Sequence, residues 1–364
     1  MSAVTTNGTM TALRVGIIGA GFMGEVHARA ARAAGADLVG IASRTLASAQ
    51  ETAAAFSVPA VAGLDELLAL KPDVVHVCTP NDTHPAITAQ VLAAGVAVVC
   101  EKPLAATSAD ARALVNAAAE AGVVNAVPFV YRFHPMVREA RALVQQGAIG
   151  AVLSVQASYL QDWMLLQTDA NWRMSDGESR AFADIGSHLC DLVEFVAGDR
   201  IVRLSARSRT VYAERGGQPV HNEDIAAVLV EFASGTIGTL LVSQMAAGRK
   251  NALEFELHGS EQSVRFEQEK PEQLAIGTRA GTLMRSRDAS QLTPDAARLS
   301  VVPSGHPMGY QDAFNGFVRD TYNAMRGVDS DGLPTFVDGL RAAIVTEAVI
   351  ASARQAGAWV AVEL

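Results

Sequence analysis

Hydrophobic and polar positions follow two different patterns along the chain. From about residue 13 to residue 129, short, fully apolar runs alternate with alanine-rich segments of helical spacing. Fully apolar strands separated by helices are typical of a parallel sheet covered on both faces. This pattern predicts strands at 15–18, 38–42, 74–78, 97–100 and 123–127, and helices near 25–34, 45–55, 84–94 and 108–121.

Beyond residue 129 the apolar runs are longer and alternate every second position, which indicates a mainly antiparallel sheet with one apolar face. The sequence ASGT at 233–236 predicts a hairpin turn between two of the strands. The stretch 270–305 is irregular and polar, and no element is predicted there. The predicted strands are 151–160, 201–211, 225–232, 236–245, 253–258 and 263–266, and the predicted helices are 134–146, 187–196, 310–326 and 336–354.

A glycine-rich turn follows the first predicted strand. Gly19, Gly21 and Gly24 have the spacing GxGxxG between an apolar strand and a helix, with Phe22 and Met23 inside the motif. The first glycine permits the tight turn, the second lets a pyrophosphate approach the backbone, and the third allows the helix to pack closely. Amide groups at the start of the helix would bind the phosphates. The sequence therefore predicts a dinucleotide site.

The end of the second strand bears on which dinucleotide binds. An acidic residue at this point would bind the ribose hydroxyls of NAD. The chain instead has Ser43 and Arg44, which can both contact a 2′-phosphate. We therefore favour NADP(H), although a solvated Arg44 that stacks on adenine would leave NAD acceptable.

The third predicted strand ends in the sequence TPNDTH. Thr79, Pro80 and Asn81 fall at the carboxyl edge of the sheet, where ligands bind in this type of fold. His84 follows them and is interpreted first as a helix-cap residue. These four residues are candidates for the cofactor site.

The fourth strand ends in the sequence EKP. Glu101 and Lys102 lie at the same edge, beside the nicotinamide end of the crevice, and both are further candidates for the cofactor site. Pro103 restricts Lys102 to an extended backbone. An ammonium group at this position can hydrogen-bond a substrate hydroxyl and stabilise alkoxide character as hydride leaves. The alternative is a surface lysine at a strand end.

A second group of candidate residues occurs in the sequence DIGSH. Asp184 and His188 are spaced so that they share one face if the helix has begun by Asp184. An imidazole can accept a hydroxyl proton near neutral pH, and a carboxylate can orient or assist it. The alternative is ordinary capping by Asp184 or Ser187 with a buried, hydrogen-bonded His188.

The glycine-rich start, TPNDTH, EKP and DIGSH together resemble the Gfo/Idh/MocA family of NAD(P)-dependent sugar and inositol oxidoreductases. The likeness runs in order over nearly the whole chain, and EKP with DxGxH is its specific part. It implies an α/β protein with an N-terminal Rossmann domain and a C-terminal α/β domain that has a large, open, mostly antiparallel sheet. It also implies a homodimer or homotetramer and a catalytic trio of Lys102, Asp184 and His188.

We expect the chain to divide into a disordered lead-in at 1–12, a Rossmann domain at 13–130 and a substrate-binding and oligomerisation domain at 131–364. The last helix, 336–354, is a candidate to pack back on the Rossmann domain.

Substrate candidates follow the fifth strand and the first long strand after it. The family places substrate or nicotinamide contacts at Tyr131 and Arg132. Aromatic faces beside charged side chains suit a sugar, and YLQDW at 159–163 resembles members acting on the 3-hydroxyl of glucosides and anhydrosugars. The alternative is that the tryptophans anchor the core or an interface. The other candidates are Gln161, Asp162, Trp163, Trp172, Arg173 and Tyr310.

Composition limits the partners and the compartment. The chain has 29 Lys and Arg against 38 Asp and Glu, a formal net charge of −9, which disfavours nucleic acid and anionic membranes as partners. The three cysteines are far apart and match no zinc spacing, so free thiols and no metal are expected. The first residues lack the pattern of a signal peptide, and a cytoplasmic location is favoured.

The leading hypothesis is a sugar dehydrogenase or ketosugar reductase that exchanges hydride between a nicotinamide and a secondary alcohol, with C3 as a reasonable position. A second hypothesis is redox-assisted glycoside cleavage with a retained cofactor. A third, a non-enzymatic NAD(P) or sugar sensor, is disfavoured by the intact Lys102, Asp184 and His188.

Overall fold

The first part of the chain folds into a six-stranded parallel sheet between helices. The structure is a computed structural model that describes residues 11–174 and 177–363. The strands are β1 (Arg14–Ile18), β2 (Asp37–Ser43), β3 (Ala60–Ala62), β4 (Val74–Val77), β5 (Ala97–Cys100) and β6 (Asn125–Ala126). The helices are α1 (Phe22–Ala33), α2 (Leu46–Phe56), α3 (Gly63–Ala69), α4 (His84–Ala93) and α5 (Ser108–Ala121).

The order of these strands creates the crevice that the sequence predicts. The order is β3-β2-β1-β4-β5-β6, and every neighbouring pair is parallel. The chain winds outward in opposite directions from β1 and β4, and a ligand crevice forms at such a reversal. The Rossmann fold is therefore confirmed.

Strand β3 and helix α3 were not predicted from the sequence. The three residues of β3 are half-buried or exposed, so this edge strand lacks the apolar run that marks the other strands. Helix α3 has only seven residues, too few for helical spacing to stand out.

The second part of the chain builds a nine-stranded sheet, which confirms the predicted large and mostly antiparallel architecture. Its order is β16-β15-β14-β13-β7-β12-β11-β8-β17, and β7 and β12 are its one parallel pair. Strands β9 and β10 form a separate hairpin. The strands are β7 (Val152–Leu160), β8 (Ile201–Arg209), β9 (Glu214–Arg215), β10 (Gln218–Pro219), β11 (Ile225–Phe232), β12 (Ile237–Ser243), β13 (Ala252–Gly259), β14 (Ser263–Glu267), β15 (Gln273–Thr278), β16 (Gly281–Ser286) and β17 (Val360–Ala361).

Five helices accompany this sheet: α6 (Pro135–Gln145), α7 (Ser187–Ala197), α8 (Pro294–Leu299), α9 (Tyr310–Met325) and α10 (Phe336–Arg354). The stretch 270–305, for which the sequence predicted no element, contains β15, β16 and α8. Strand β16 is an edge strand whose residues are mostly exposed, so its composition carries little of the pattern of a buried strand.

The last two long helices return to the Rossmann sheet. Phe314 and Phe317 of α9 pack in the same apolar cluster as Val26 of α1, and Leu340 of α10 packs with Leu104 next to α5. Both parts of the chain are thus held together around the crevice.

Of the predicted lead-in at 1–12, only residues 11 and 12 are among those described. No helix in the described ranges is long and apolar enough to cross a membrane.

Candidate functional site

A large cleft opens at the carboxyl edge of the Rossmann sheet. Its volume is about 1520 Å³, larger than the roughly 300–1,000 Å³ of a typical small-ligand pocket. One side is formed by the loops that follow β1, β2, β4 and β5, and the other by β7, α7 and the start of α9. There is room for a dinucleotide and a second small molecule.

The glycine-rich turn fits a pyrophosphate. A methyl group on Gly19, whose φ is +111°, would lie 2.3 Å from the Cys78 carbonyl oxygen, and one on Gly24 would lie 2.0 Å from the Gly19 carbonyl oxygen. One on Gly21 would meet no atom within 4 Å. Gly19 and Gly24 therefore allow close packing, whereas Gly21 leaves open space in front of helix α1. Phe22 and Met23 line the same end of the cleft.

The end of β2 presents hydroxyl groups and a guanidinium to the cleft. Ser43, Arg44, Thr45 and Ser48 all line it. The Ser48 hydroxyl donates to Ser43 Oγ over 2.9 Å, and Thr45 Oγ1 accepts from the Ser48 amide to cap α2. The described cleft-lining residues include no carboxylate from β2 or α2. The sequence analysis missed Thr45 and Ser48, although a Ser/Thr cap before a helix was a usable signal.

Thr79, Pro80 and Asn81 line the cleft after β4, but the prediction that His84 contacts the cofactor is wrong. His84 is fully buried and hydrogen-bonds the carbonyl oxygens of Pro103 and Thr79 at 2.8 and 2.9 Å. It does not cap α4 either. Its ring instead joins two loops beneath the cleft.

Lys102 crosses from the Rossmann sheet to the second part of the chain. Its Nζ donates to the carbonyl oxygen of Asp184 over 3.0 Å and to Asp184 Oδ1 over 2.9 Å. An ammonium group has three N–H donors, so one remains for a ligand in the cleft. Both side chains are mostly buried, which excludes the alternative of a solvated surface lysine.

Asp184 lies in a π-helical turn, Phe182–Gly186, that runs directly into α7. Its Oδ2 accepts from Gln244 Nε2 over 3.0 Å, and Arg173 Nε lies 3.5 Å from Oδ1. Burial by itself would raise the pKa of Asp184, but the charges of Lys102 and Arg173 outweigh it and hold the pKa below its ordinary value. The carboxylate therefore stays ionised and fixes the ammonium.

His188 lies one turn further on, and its ring packs against Tyr131 and Phe129 at centroid distances of 5.0 and 5.6 Å. Burial, reinforced by the charge of Lys102, lowers the pKa of His188 well below 6.5 although Asp184 opposes the shift. The ring is therefore neutral at neutral pH and can accept a proton. The capping alternative does not hold, because α7 has no side-chain cap.

Amide and phenol groups form the wall next to His188. Tyr159 donates to Asn251 Oδ1 over 2.6 Å, Asn251 Nδ2 donates to Tyr131 over 3.1 Å, and the two phenol oxygens are 2.6 Å apart. Gln161 Nε2 also donates to Asn251 Oδ1, over 3.0 Å. All four residues line the cleft. The sequence analysis missed Tyr159 as a site residue, and Asn251 had no signal because it precedes β13 in a polar loop.

Arg173 and Tyr310 line the cleft as predicted, and Glu101 is a largely buried part of its wall. Two other predicted substrate contacts, Asp162 and Trp163, are not among its described lining residues. Asp162 pairs with Lys250 at 2.7 Å, and Trp163 donates its indole N–H to Gln161 over 2.7 Å. The side chain of Trp172 lies outside the part of the structure that is described.

The prediction that Arg132 contacts substrate is also wrong. Its side chain is buried and forms ion pairs with Asp191 of α7 and Asp338 of α10. Because a buried guanidinium needs carboxylate partners, this arginine holds the two helices together and does not face the cleft.

The cleft combines a glycine turn that fits a pyrophosphate with an ammonium group and a neutral imidazole. Such a combination is typical of one class of protein, the oxidoreductases that use a nicotinamide dinucleotide. The family model described as an oxidoreductase family with an NAD-binding Rossmann fold matches residues 13–129, and that of the GFO/IDH/MocA C-terminal domain matches residues 137–265. The chain belongs to the Gfo/Idh/MocA family.

Individual relatives extend over almost the whole chain. Levoglucosan dehydrogenase of Pseudarthrobacter phenanthrenivorans is 30% identical over 96% of this chain and 98% of its own. The crystal structure of an oxidoreductase domain protein from Kribbella flavida is 34% identical, with a TM-score of 0.89 over 98% of this chain and 100% of that one. A levoglucosan dehydrogenase in complex with NADH and levoglucosan is 28% identical, with a TM-score of 0.89 over 97% and 100% of the two chains.

The different surroundings of Gly21 and Gly24 lead to a prediction. Gly24→Ala should lower the melting temperature, because its methyl group would overlap a backbone oxygen. Gly21→Ala should melt like the wild type but bind the dinucleotide at least about tenfold more weakly, since its methyl group would fill the space for the pyrophosphate. Thermal melts and reduced-nicotinamide fluorescence titrations measure the two effects. Equal dinucleotide affinity in Gly21→Ala and the wild type would contradict this assignment.

Proposed function

We propose that this protein is an NAD(P)-dependent dehydrogenase that oxidises a secondary alcohol of a sugar or glycoside, and reduces the ketone in reverse. The observation that carries the proposal is the Lys102–Asp184 pair, 2.9 Å apart, in the same cleft as a neutral His188. The relatives above include a dehydrogenase named for an anhydrosugar and a solved structure of a levoglucosan dehydrogenase with NADH and levoglucosan.

The residues of the chain manage the proton and the charge of the reaction. A bound nicotinamide supplies the hydride acceptor. Neutral His188 accepts the proton of the hydroxyl group that is oxidised, so that the carbon loses a hydride and the oxygen loses a proton. The remaining N–H of Lys102 donates to the same oxygen and stabilises its developing negative charge. Asp184 keeps the ammonium oriented and balances its charge.

The wall of the cleft favours a substrate with several hydroxyl groups. Asn251 and Gln161 each have a second amide N–H in addition to the one that bonds within the wall. Arg173 and Tyr310 add a cationic and a phenolic group. We propose a glucoside or anhydrosugar oxidised at C3, because the sequence YLQDW at 159–163 resembles family members that act on this hydroxyl.

The proposal is tested by a screen of levoglucosan, inositol and methyl glucosides with NAD⁺ and NADP⁺ in parallel, followed at the absorbance of the reduced nicotinamide. Lys102→Met should lower kcat by roughly 10²–10³ and leave dinucleotide affinity unchanged, because the lost group acts on the developing charge. Glycoside release with no net change in cofactor would instead support redox-assisted cleavage. A fully active Lys102→Met would refute the role of the lysine.

The lowered pKa of His188 predicts how kcat/KM for sugar oxidation depends on pH. Sugar oxidation needs the neutral ring, so activity falls only when the pH drops through the pKa of His188. Since that pKa is lowered from 6.5, the acid limb of kcat/KM should lie below pH 6.5. A pH profile of kcat/KM in the oxidation direction measures it. An acid limb above pH 7 would mean that another group is the base.

We further propose a preference for NADP(H) over NAD(H). The support is the hydroxyl and guanidinium group at Ser43, Arg44, Thr45 and Ser48, which is suited to a 2′-phosphate. The structure named above with bound NADH belongs to a relative, so the preference of this chain needs its own measurement.

Ser43→Asp should lower the ratio of kcat/KM for NADP⁺ to that for NAD⁺ by at least about tenfold, because a carboxylate repels the 2′-phosphate and accepts from ribose hydroxyls. Ser43→Ala is the matched control, since it removes the hydroxyl without adding charge. Steady-state kinetics with both cofactors give the ratio. An unchanged ratio in Ser43→Asp would contradict the preference.

We also propose that the protein is a cytoplasmic homodimer or homotetramer that associates through the outer face of the nine-stranded sheet. All three cysteines are free thiols, which suits a reducing compartment. On the outer face, Leu229 and Leu241 are 51% and 41% exposed on adjacent strands. Two copies related by a twofold axis would bury this apolar patch against itself.

Leu229→Glu should weaken self-association by about 100-fold or more, because a carboxylate buried without a partner costs several kcal/mol. Leu283→Glu on the edge strand β16, where the leucine is 58% exposed, is the matched control. Sedimentation velocity over a concentration series measures both variants. A monomeric wild type would disprove the association.

A further inference from the structure

Four side chains form a continuous hydrogen-bonded chain beneath the Rossmann crevice. Tyr322 of α9 lies 3.0 Å from His76 Nε2, and His76 Nδ1 lies 2.8 Å from His27 Nδ1. His27 Nε2 lies 2.9 Å from Glu101 Oε1, and Glu101 Oε2 accepts the backbone N–H of Lys102 over 3.1 Å. Tyr322, His76 and His27 are each 0% exposed. The hydrogen-bonded chain therefore ends at Lys102, the catalytic candidate.

The direction of every hydrogen bond follows from the carboxylate. An ionised Glu101 can only accept, so His27 must hold a proton on Nε2. In a neutral His27 the Nδ1 atom then accepts, and His76 must donate from its own Nδ1. The Nε2 atom of His76 in turn accepts the phenol proton of Tyr322. Each group thus has a partner, and all protons point toward Glu101.

The opposite direction does not satisfy all the groups. If His27 carried a second proton on Nδ1, His76 would accept there and donate from Nε2 to the Tyr322 oxygen. The phenol proton of Tyr322 would then have no acceptor among the described residues, in a fully buried position. A buried donor without an acceptor is destabilising, so the arrangement with a neutral His27 is favoured.

The pKa shifts of the other three groups are in the sense that this direction requires. Burial lowers the pKa of His76 well below its ordinary value, and burial raises the pKa of Tyr322 well above its own. Burial would also raise the pKa of Glu101, but the hydrogen bond to His27 and the charge of Lys102 outweigh it and lower the pKa. A neutral imidazole, a protonated phenol and an ionised carboxylate result.

We propose that His27 is a positioning residue for Lys102, acting through Glu101, and that His76 and Tyr322 set the tautomer of His27 for this task. The catalytic part of this inference rests on the proposed dehydrogenase function. His27 hydrogen-bonds one oxygen of Glu101, and the other oxygen then accepts from the backbone N–H of Lys102. This fixes the backbone of Lys102, so that its ammonium group can contact both Asp184 and the substrate oxygen.

Two substitutions at His27 test the role. His27→Phe removes the donor to Glu101 and should lower kcat about tenfold or more, the effect of one lost hydrogen bond to a charged group. His27→Gln places an amide N–H near the position of Nε2 and should restore kcat to within about threefold of the wild type. Dinucleotide affinity should change by less than about twofold in both variants. The control is Tyr212→Phe, which removes a half-buried phenol hydroxyl that is not part of the hydrogen-bonded chain.

The tautomers are measured separately by nitrogen-15 NMR of the histidine rings in the wild type, which needs neither activity nor a variant that folds. At pH 7, His27 should be protonated on Nε2 alone and His76 on Nδ1 alone. Two protons on either ring, or the reversed tautomers, would overturn the proposal. So would a His27→Phe variant with wild-type kcat, or a folded His27→Gln variant as impaired as His27→Phe. A wild-type protein that oxidises no sugar would instead refute the proposed function. The NMR result would still show whether His27 and His76 have the proposed tautomers.

Discussion

The ion pair between Lys102 and Asp184 is the interaction on which the site depends. It joins residues 82 positions apart in the sequence and links the Rossmann sheet to the helix that carries His188. A buried ion pair contributes little net stability compared with apolar residues of the same size, but breaking one by removing a partner is costly. Its value here lies in geometry, because it holds an ammonium group in a fixed place beside a neutral ring.

The two parts of the chain contribute different kinds of chemistry. The Rossmann part offers backbone amides and hydroxyl groups, which suit phosphates and ribose. Its Gly19 and Gly24 are packed so closely that larger side chains would not fit. The second part supplies His188, Asp184 and the amide–phenol wall from helix and sheet elements. Helices α9 and α10 then pack on the first part, so the cleft between them is enclosed by a single apolar framework.

Several polar residues that appear suited to a ligand serve the framework. Arg132 and His84 follow strands that reach the cleft, yet both side chains turn inward and satisfy buried partners. Asp162 bonds to Lys250 across a loop. Residue type and position near a strand end therefore identified the region, but burial decided which side chains face the cleft. Asn251 shows the converse, since a polar loop residue enters the site only because β13 pairs with β7.

Local periodicity and short motifs were enough to predict the parallel and antiparallel sheets and the glycine turn, and to identify Lys102, Asp184 and His188 as catalytic candidates. They could not assign β3, α3 or the segment 270–305, where short or exposed elements carry little apolar pattern. The folded chain was needed to show that Tyr159 and Asn251 border the cleft, and that His27, His76, Glu101 and Tyr322 meet beneath it. Such contacts join distant segments, and their hydrogen bonds depend on burial that no local spacing reveals.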